Sequence, residues 1–201
     1  MVWTQKMSND KKFENPPAGT YGAVCIKVID LGTQQVTWEG DTKYQRKVFI
    51  QWELDELMED KRPFVTGRKF TVSMHEKASL RAFLKSWRGR DFTEDELKGF
   101  NPQKLIGAPC MLSLVQSGDY VNVASAAKLP KGMVPLKPTN PTVYFSLDDF
   151  DQKIYESLSN KMKEDIASSP EFIGLKGNQS KQGGAVFDDM ADDIPSDDIA
   201  F

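Results

Sequence analysis

From residue 19 to residue 129 the hydrophobic pattern changes period twice: alternating, then helical, then alternating again. The β-branched run Gly19-Thr-Tyr-Gly-Ala-Val-Cys-Ile-Lys-Val-Ile-Asp-Leu31 predicts a long strand, with Gly22 allowing a bend. Residues 32–42 are expected as a polar loop around Trp38 that turns at Glu39-Gly40-Asp41. Across 43–54 the residues alternate, Val48, Ile50, Trp52 and Leu54 on one face and Lys47, Phe49, Gln51 and Glu53 on the other. A charged connection ended by Pro63 leads to a third strand over 67–75, with Phe70, Val72 and Met74 opposite Lys69, Thr71, Ser73 and His75.

Leu80, Phe83, Leu84 and Trp87 then recur at three-to-four spacing, which predicts a helix over 77–87. Thr93-Glu-Asp-Glu96 is a capping box opening a short helix through Phe100, and Asn101-Pro102 starts a further turn closed by Gly107. Residues 108–116 and 120–129 are expected as strands around the tight turn Ser117-Gly118-Asp119. Three strands, a helical insert and a hairpin are the order a five-stranded Greek-key barrel of the OB type requires, with the insert plugging one end. Order alone leaves an SH3-like barrel or another mixed α+β sheet open.

The expected organisation is a flexible N-terminal arm (1–17), the barrel with its helical insert (18–130) and a proline-spaced linker (131–145). An amphipathic helix follows (146–170), using Phe150, Ile154, Leu158, Met162 and Ile166, then a disordered linker and acidic tail (171–201). The tail changes how the net charge of −3 reads. Residues 188–201 hold six aspartates and no basic residue; without them 29 acidic residues fall to 23 against 26 basic ones, leaving +3 on residues 1–187. A mildly basic body with a polyanionic end suits a polyanion-binding domain carrying its own mimic, or a soluble domain with a solubilising tail.

Cys25 and Cys110 lie in apolar runs and read as small buried hydrophobes, too few for a disulfide framework or a zinc site. With no 18-residue apolar stretch and no signal-peptide pattern, the expected location is the cytoplasm. One histidine, His75, builds no metal cluster, and no phosphate-cradling Gly-x-x-x-x-Gly-Lys-Ser/Thr run occurs. The acidic groups at 55–60 and 93–96 read as a charged loop and a capping box before they read as two-metal nuclease carboxylates. The chain is therefore expected to be no enzyme and to carry no cofactor or metal.

A second pattern interleaves rings with cations. Trp38, Lys43, Tyr44, Arg46, Lys47 and Phe49 run from the first loop into strand two; Arg68 and Lys69 sit on strand three, Arg88 and Arg90 end the helix, and Tyr120 starts strand five. Unpaired nucleic acid takes cations along its phosphates and flat rings under its bases, each stacked base contributing roughly 1–3 kcal/mol. The competing reading is structural: Trp52 and Trp87 belong to the core by their spacing, and Phe49 lies under the C-terminal helix.

The tail segment Asp197-Asp198-Ile199-Ala200-Phe201 resembles the C-terminal tip of bacterial and phage single-stranded-DNA-binding proteins, with Ala200 where that tip has proline. Asp192-Asp193-Ile194-Pro195 looks like a second copy. The body, from about Pro17 to Pro141, is similar to a phage-encoded family of OB-fold single-strand binders. The similarity rests on residues 19–25, Trp52-Glu-Leu54, Ser86-Trp-Arg-Gly-Arg90 and Leu129-Pro-Lys-Gly-Met133. The resemblance implies a protein that coats unpaired DNA without sequence preference in phage replication or recombination, in the cytoplasm of an infected bacterium. It also implies recruitment of replication or recombination partners through Asp197, Asp198, Ile199 and Phe201. Two other readings stay open: an adaptor whose tail imitates that tip while its domain leaves DNA alone, and a metal-dependent nuclease.

Overall fold

β1 runs from Gly19 to Trp38 and β2 from Asp41 to Leu57, so the expected loop over 32–42 is mostly strand. The ladder between them continues out to Trp38 opposite Asp41, closed by Glu39 and Gly40. Both turn residues have positive φ, the geometry that matches a two-residue hairpin turn to the twist of its strands. The missed stretch, Thr33 to Thr37, lacks apolar alternation because none of its residues is fully buried, and periodicity reports burial rather than pairing. This computed structural model describes residues 15–182, without the side chains of Trp38 and 177–182; the expected arm up to residue 14 and the acidic tail lie outside the described residues.

β3 spans Pro63–Thr71, four residues earlier at each end than the alternation predicts. The β2–β3 turn closes on Met58 and Arg62, whose backbones exchange a hydrogen bond, so pairing resumes at once. Pro63 sits at the first position of the strand, where a missing N–H does least harm. His75 therefore lies past the strand. After β3 come α1 (Ser79–Arg88), α2 (Glu94–Lys98) and a 3-10 turn (Pro102–Leu105), then β4 (Pro109–Ser117) and β5 (Tyr120–Ala127). The Thr93 capping box is present in full. The sheet is mainly antiparallel and not closed, in the order β3-β2-β1-β4-β5.

A sixth strand, β6 (Val143–Phe145), falls inside the expected linker and pairs parallel with Lys27–Ile29 of β1. β1 thus shares one edge between two partners, β4 along 19–24 and β6 along 27–29, with a register shift between Cys25 and Lys27 separating them. The strap leading to β6 is pinned by Glu53. This carboxylate is 1% exposed and accepts hydrogen bonds from the amides of Thr139 and Asn140 and from the Asn140 side chain, each at 2.7 Å. Three donors satisfy a charge that burial would otherwise penalise heavily.

The expected single helix over 146–170 is three: α3 (Gln152–Ser157), α4 (Asn160–Ala167) and α5 (Pro170–Gln182), the last running into the stretch expected as disordered linker. Ser159 caps α4 by accepting from the Met162 amide, and Pro170 opens α5 where its missing N–H is free of cost. The apolar residues chosen for one helix still share one purpose. Ile154, Leu158, Met162 and Ile166 pack with Ile29, Leu31, Phe145 and Phe172 in a second core on the outer face of the β1–β2 sheet. The first core fills the inner face: Val48, Ile50, Trp52 and Leu54 meet Leu80, Phe83, Leu84 and Trp87 of α1. Both cysteines are buried there; desolvation pushes the Cys110 thiol up to about 12. Among the described residues no helix is long and apolar enough to cross a membrane.

Candidate nucleic-acid interface

The outer part of the β1–β2 ribbon carries the first group of expected site residues. Lys43 and Tyr44 are exposed, Tyr44 at 68%, and cross-strand register puts them opposite Val36 and Gln35, on opposite faces of the ribbon. Lys43 has no carboxylate partner among the described residues. Trp38 ends β1 beside the turn, opposite Asp41. At the other hairpin Tyr120 faces Ser117 across the turn and is 71% exposed. These two tyrosines are the largest rings the described surface leaves bare, and each stands at a hairpin.

Lower on β2 the cations divide sharply. Arg46 is held by Asp30 and by Asp148, and the hydrogen bond to Asp30 is the chief cause that raises its pKa above the usual value. Asp30 also accepts from the amides of Gly32 and Leu147, so this group ties β1 to the C-terminal layer. Lys47, one pair further in, has only uncharged acceptors: Gln45 Oε1 at 2.8 Å and Thr71 Oγ1 at 2.7 Å. Burial without a counter-charge lowers its pKa. Lys69 on β3 is paired with Asp165 of α4. Phe49 is half-buried, packs against the second core and lies so close over Gly67 that a Cβ there would collide with its ring. Beyond Lys47, then, the outward side of β2 is covered by the chain's own C-terminal layer rather than open as a groove.

The three remaining cations do structural work elsewhere. Arg68 points inward on β3, lies over the rings of Phe70 and Phe83, and donates to the carbonyls of Val123 and Ala124 at 3.0 and 3.1 Å. It bridges β3 to β5, whose edges the ladder leaves unjoined. Arg88 and Arg90 both bind Glu96, and Arg88 also covers the Phe92 ring at 4.2 Å. Their hydrogen bonds, that of Arg90 first, hold the Glu96 carboxyl well below its usual range. Trp87 is core, with its indole N–H donated to the Pro109 carbonyl. Asp197, Asp198, Ile199 and Phe201 lie outside the described residues.

Lys47 and Lys69 of the expected set are gathered around one cavity, of about 370 Å³, together with Gln34, Thr71 and Ser79. Thr71 was legible as a neighbour, since it shares the Lys69 face of β3 by alternation. Ser79 was not, because it arrives from the far side of a seven-residue connection after the strand. A separate apolar cavity of about 320 Å³ opens between β6, α2 and the inner face of β2, where Tyr144, Phe100 and Met74 line it. Among the described residues no three His, Cys, Asp or Glu side chains are grouped as a metal site requires. No family model and no curated protein sequence matches the chain.

Proposed function

We propose that the chain binds single-stranded DNA without sequence preference, in phage replication or recombination, and recruits partner proteins through Asp197, Asp198, Ile199 and Phe201. The observation that carries this reading is the pair of bare tyrosines, Tyr44 and Tyr120, each at a hairpin, with the carboxylate-free Lys43 and Lys47 on the strand of the first. Rings standing in water, on a ribbon that also carries cations without a counter-charge, are what sequence-tolerant stacking uses.

The scaffold under this reading is an OB-type barrel. In its favour are the strand order β3-β2-β1-β4-β5, the helices between β3 and β4, and Arg68, which holds β5 beside β3 where such a barrel closes. In that arrangement the β1–β2 and β4–β5 hairpins flank the strand-binding face, and these are the hairpins that bear Tyr44 and Tyr120. The acidic tail then competes with DNA for the same cations until a strand displaces it.

One observation favours the adaptor reading instead: Arg46, Lys69, Arg88 and Arg90 already have carboxylate partners within the chain. An oligo(dT) titration at two salt concentrations, on the full chain and on a chain lacking 188–201, separates the two. Strand binding predicts affinity that falls steeply with salt and tightens on truncation at low salt. No binding by either chain would leave the adaptor.

A further inference from the structure

The cavity between β2, β3 and the start of α1 brings together one N–H of Lys47 and the hydroxyl and first-turn amides at Ser79 that have no acceptor in the chain, beside groups that are already paired. Lys47 spends two of its three N–H donors on Gln45 and Thr71, both uncharged. Lys69 enters from β3 already charge-paired with Asp165, which also meets Lys161 at 3.5 Å. Ser79 is the first residue of α1, a ten-residue helix that no side chain caps and whose first turn holds no acidic residue. Its first-turn N–H groups lack intrahelical acceptors and carry the positive end of the helix dipole. Gln34 is tied to the carbonyls of Leu31 and Asp165. The space is about 370 Å³, against roughly 30 Å³ for a water molecule, so it holds a small polyatomic anion with its waters.

We propose that this cavity seats a phosphate group, with Lys47 as its principal cation and the hydroxyl and open helix start at Ser79 as its neutral donors. An arriving anion supplies the counter-charge that Lys47 lacks. Asp165 neutralises Lys69, which leaves Lys47 as the cation without a counter-charge at the seat. The same chemistry suits a phosphodiester within a strand and a free phosphate ion. In the first case the proposal deepens the strand-binding reading and rests on it; in the second it stands alone.

Backbone amide NMR of the full chain tests this, with sodium phosphate added at ionic strength matched by sodium chloride. The Ser79, Leu80 and Thr71 amides are expected to shift and saturate with phosphate and not with chloride. Lys47→Gln should weaken the response about tenfold, the loss of one charge-assisted contact, while Lys47→Arg keeps it and Lys104→Gln, exposed on the 3-10 turn, leaves it unchanged. Shifts that never saturate, or that persist in Lys47→Gln, overturn the proposal. Adding oligo(dT) then identifies the source. A strand that displaces phosphate from Ser79 supports the phosphodiester. A chain that takes phosphate but no oligo(dT) keeps the cavity and removes the strand-binding reading. A chain that takes phosphate and binds oligo(dT) with Ser79 and Thr71 unmoved keeps the strand-binding reading and assigns the cavity to free phosphate.

Discussion

The β1–β2 ribbon is one hydrogen-bonded ladder with two unlike halves. From Ala23 opposite Leu54 to Asp30 opposite Val48 it is covered on both sides, by the α1 core within and by β6 and the C-terminal helices without. From Thr33 opposite Arg46 to the turn, Gln35, Thr37, Thr42, Lys43 and Tyr44 stand in solvent. The hydrogen bonding is the same, so burial alone decides where the residues must be apolar. A free two-stranded hairpin is marginal in water, but this one grows from a half already fixed by packing. Its residue identities are therefore available for contact with a ligand.

The sharpest break in the comparison comes from the covered half. Trp52 is fully buried between Phe83 and Trp87, so Trp52→Ala should lower unfolding free energy by about 3–5 kcal/mol in urea titrations. Trp52→Phe should cost far less, because the indole N–H is buried without an acceptor among the described residues and its removal forfeits nothing. Equal losses for the two variants would show that the N–H is satisfied. Next in size is Glu53→Gln, which trades a charged acceptor of three hydrogen bonds for a neutral amide and should cost about 1.5–3 kcal/mol. Hydrogen exchange should quicken first at Thr139 and Asn140; unchanged protection there would mean that the strap is held by other contacts.

The two halves were also unequally legible. Alternation marks Val48, Ile50, Trp52 and Leu54 because they are buried, and three-to-four spacing marks Leu80, Phe83, Leu84 and Trp87 for the same reason. The Thr93 capping box is a local chemical signal and was readable as such. β6 was not, since three residues just beyond a run of prolines carry no period. The breaks in the C-terminal helix were written at Ser159 and Pro170, but the apolar spacing continues smoothly across them. Least legible was the fate of the candidate cations. Lys69 meets Asp165 across 96 residues of sequence and Arg46 meets Asp148 across 102, and such pairs exist only once the second core has folded.

In the bare half the expected effect moves from stability to binding. Tyr44→Ala should leave the urea midpoint essentially where it is, since the ring touches no core. Oligo(dT) affinity should fall by about 1–3 kcal/mol, the contribution of one stacked base. A stable variant with unaltered affinity would exclude Tyr44 from the strand path and leave Tyr120 to carry the reading alone.

The smallest effect probes the border itself. Glu171 of α5 accepts from the Thr33 amide at 2.9 Å and from its hydroxyl at 2.6 Å, at the first pair of the bare half. Burial pushes the Glu171 carboxyl up, but those two hydrogen bonds, together with its own backbone amide and the charge of Arg46, pull it further down, so its pKa lies below the ordinary 4.5. A carboxyl depressed in the folded state contributes stability above its unfolded value and loses it as pH falls through the folded one. The contribution should therefore be complete near neutrality and fade as pH drops below 4.5. Subtracting the pH profile of Glu171→Gln from that of the unaltered chain isolates it from the other carboxyls. If the border lies at Thr33, the variant should also speed exchange of the Thr33 amide while the amides from Ala23 to Asp30 keep their protection. Loosening that spreads into the covered half would show instead that α5 is part of what holds the ladder together.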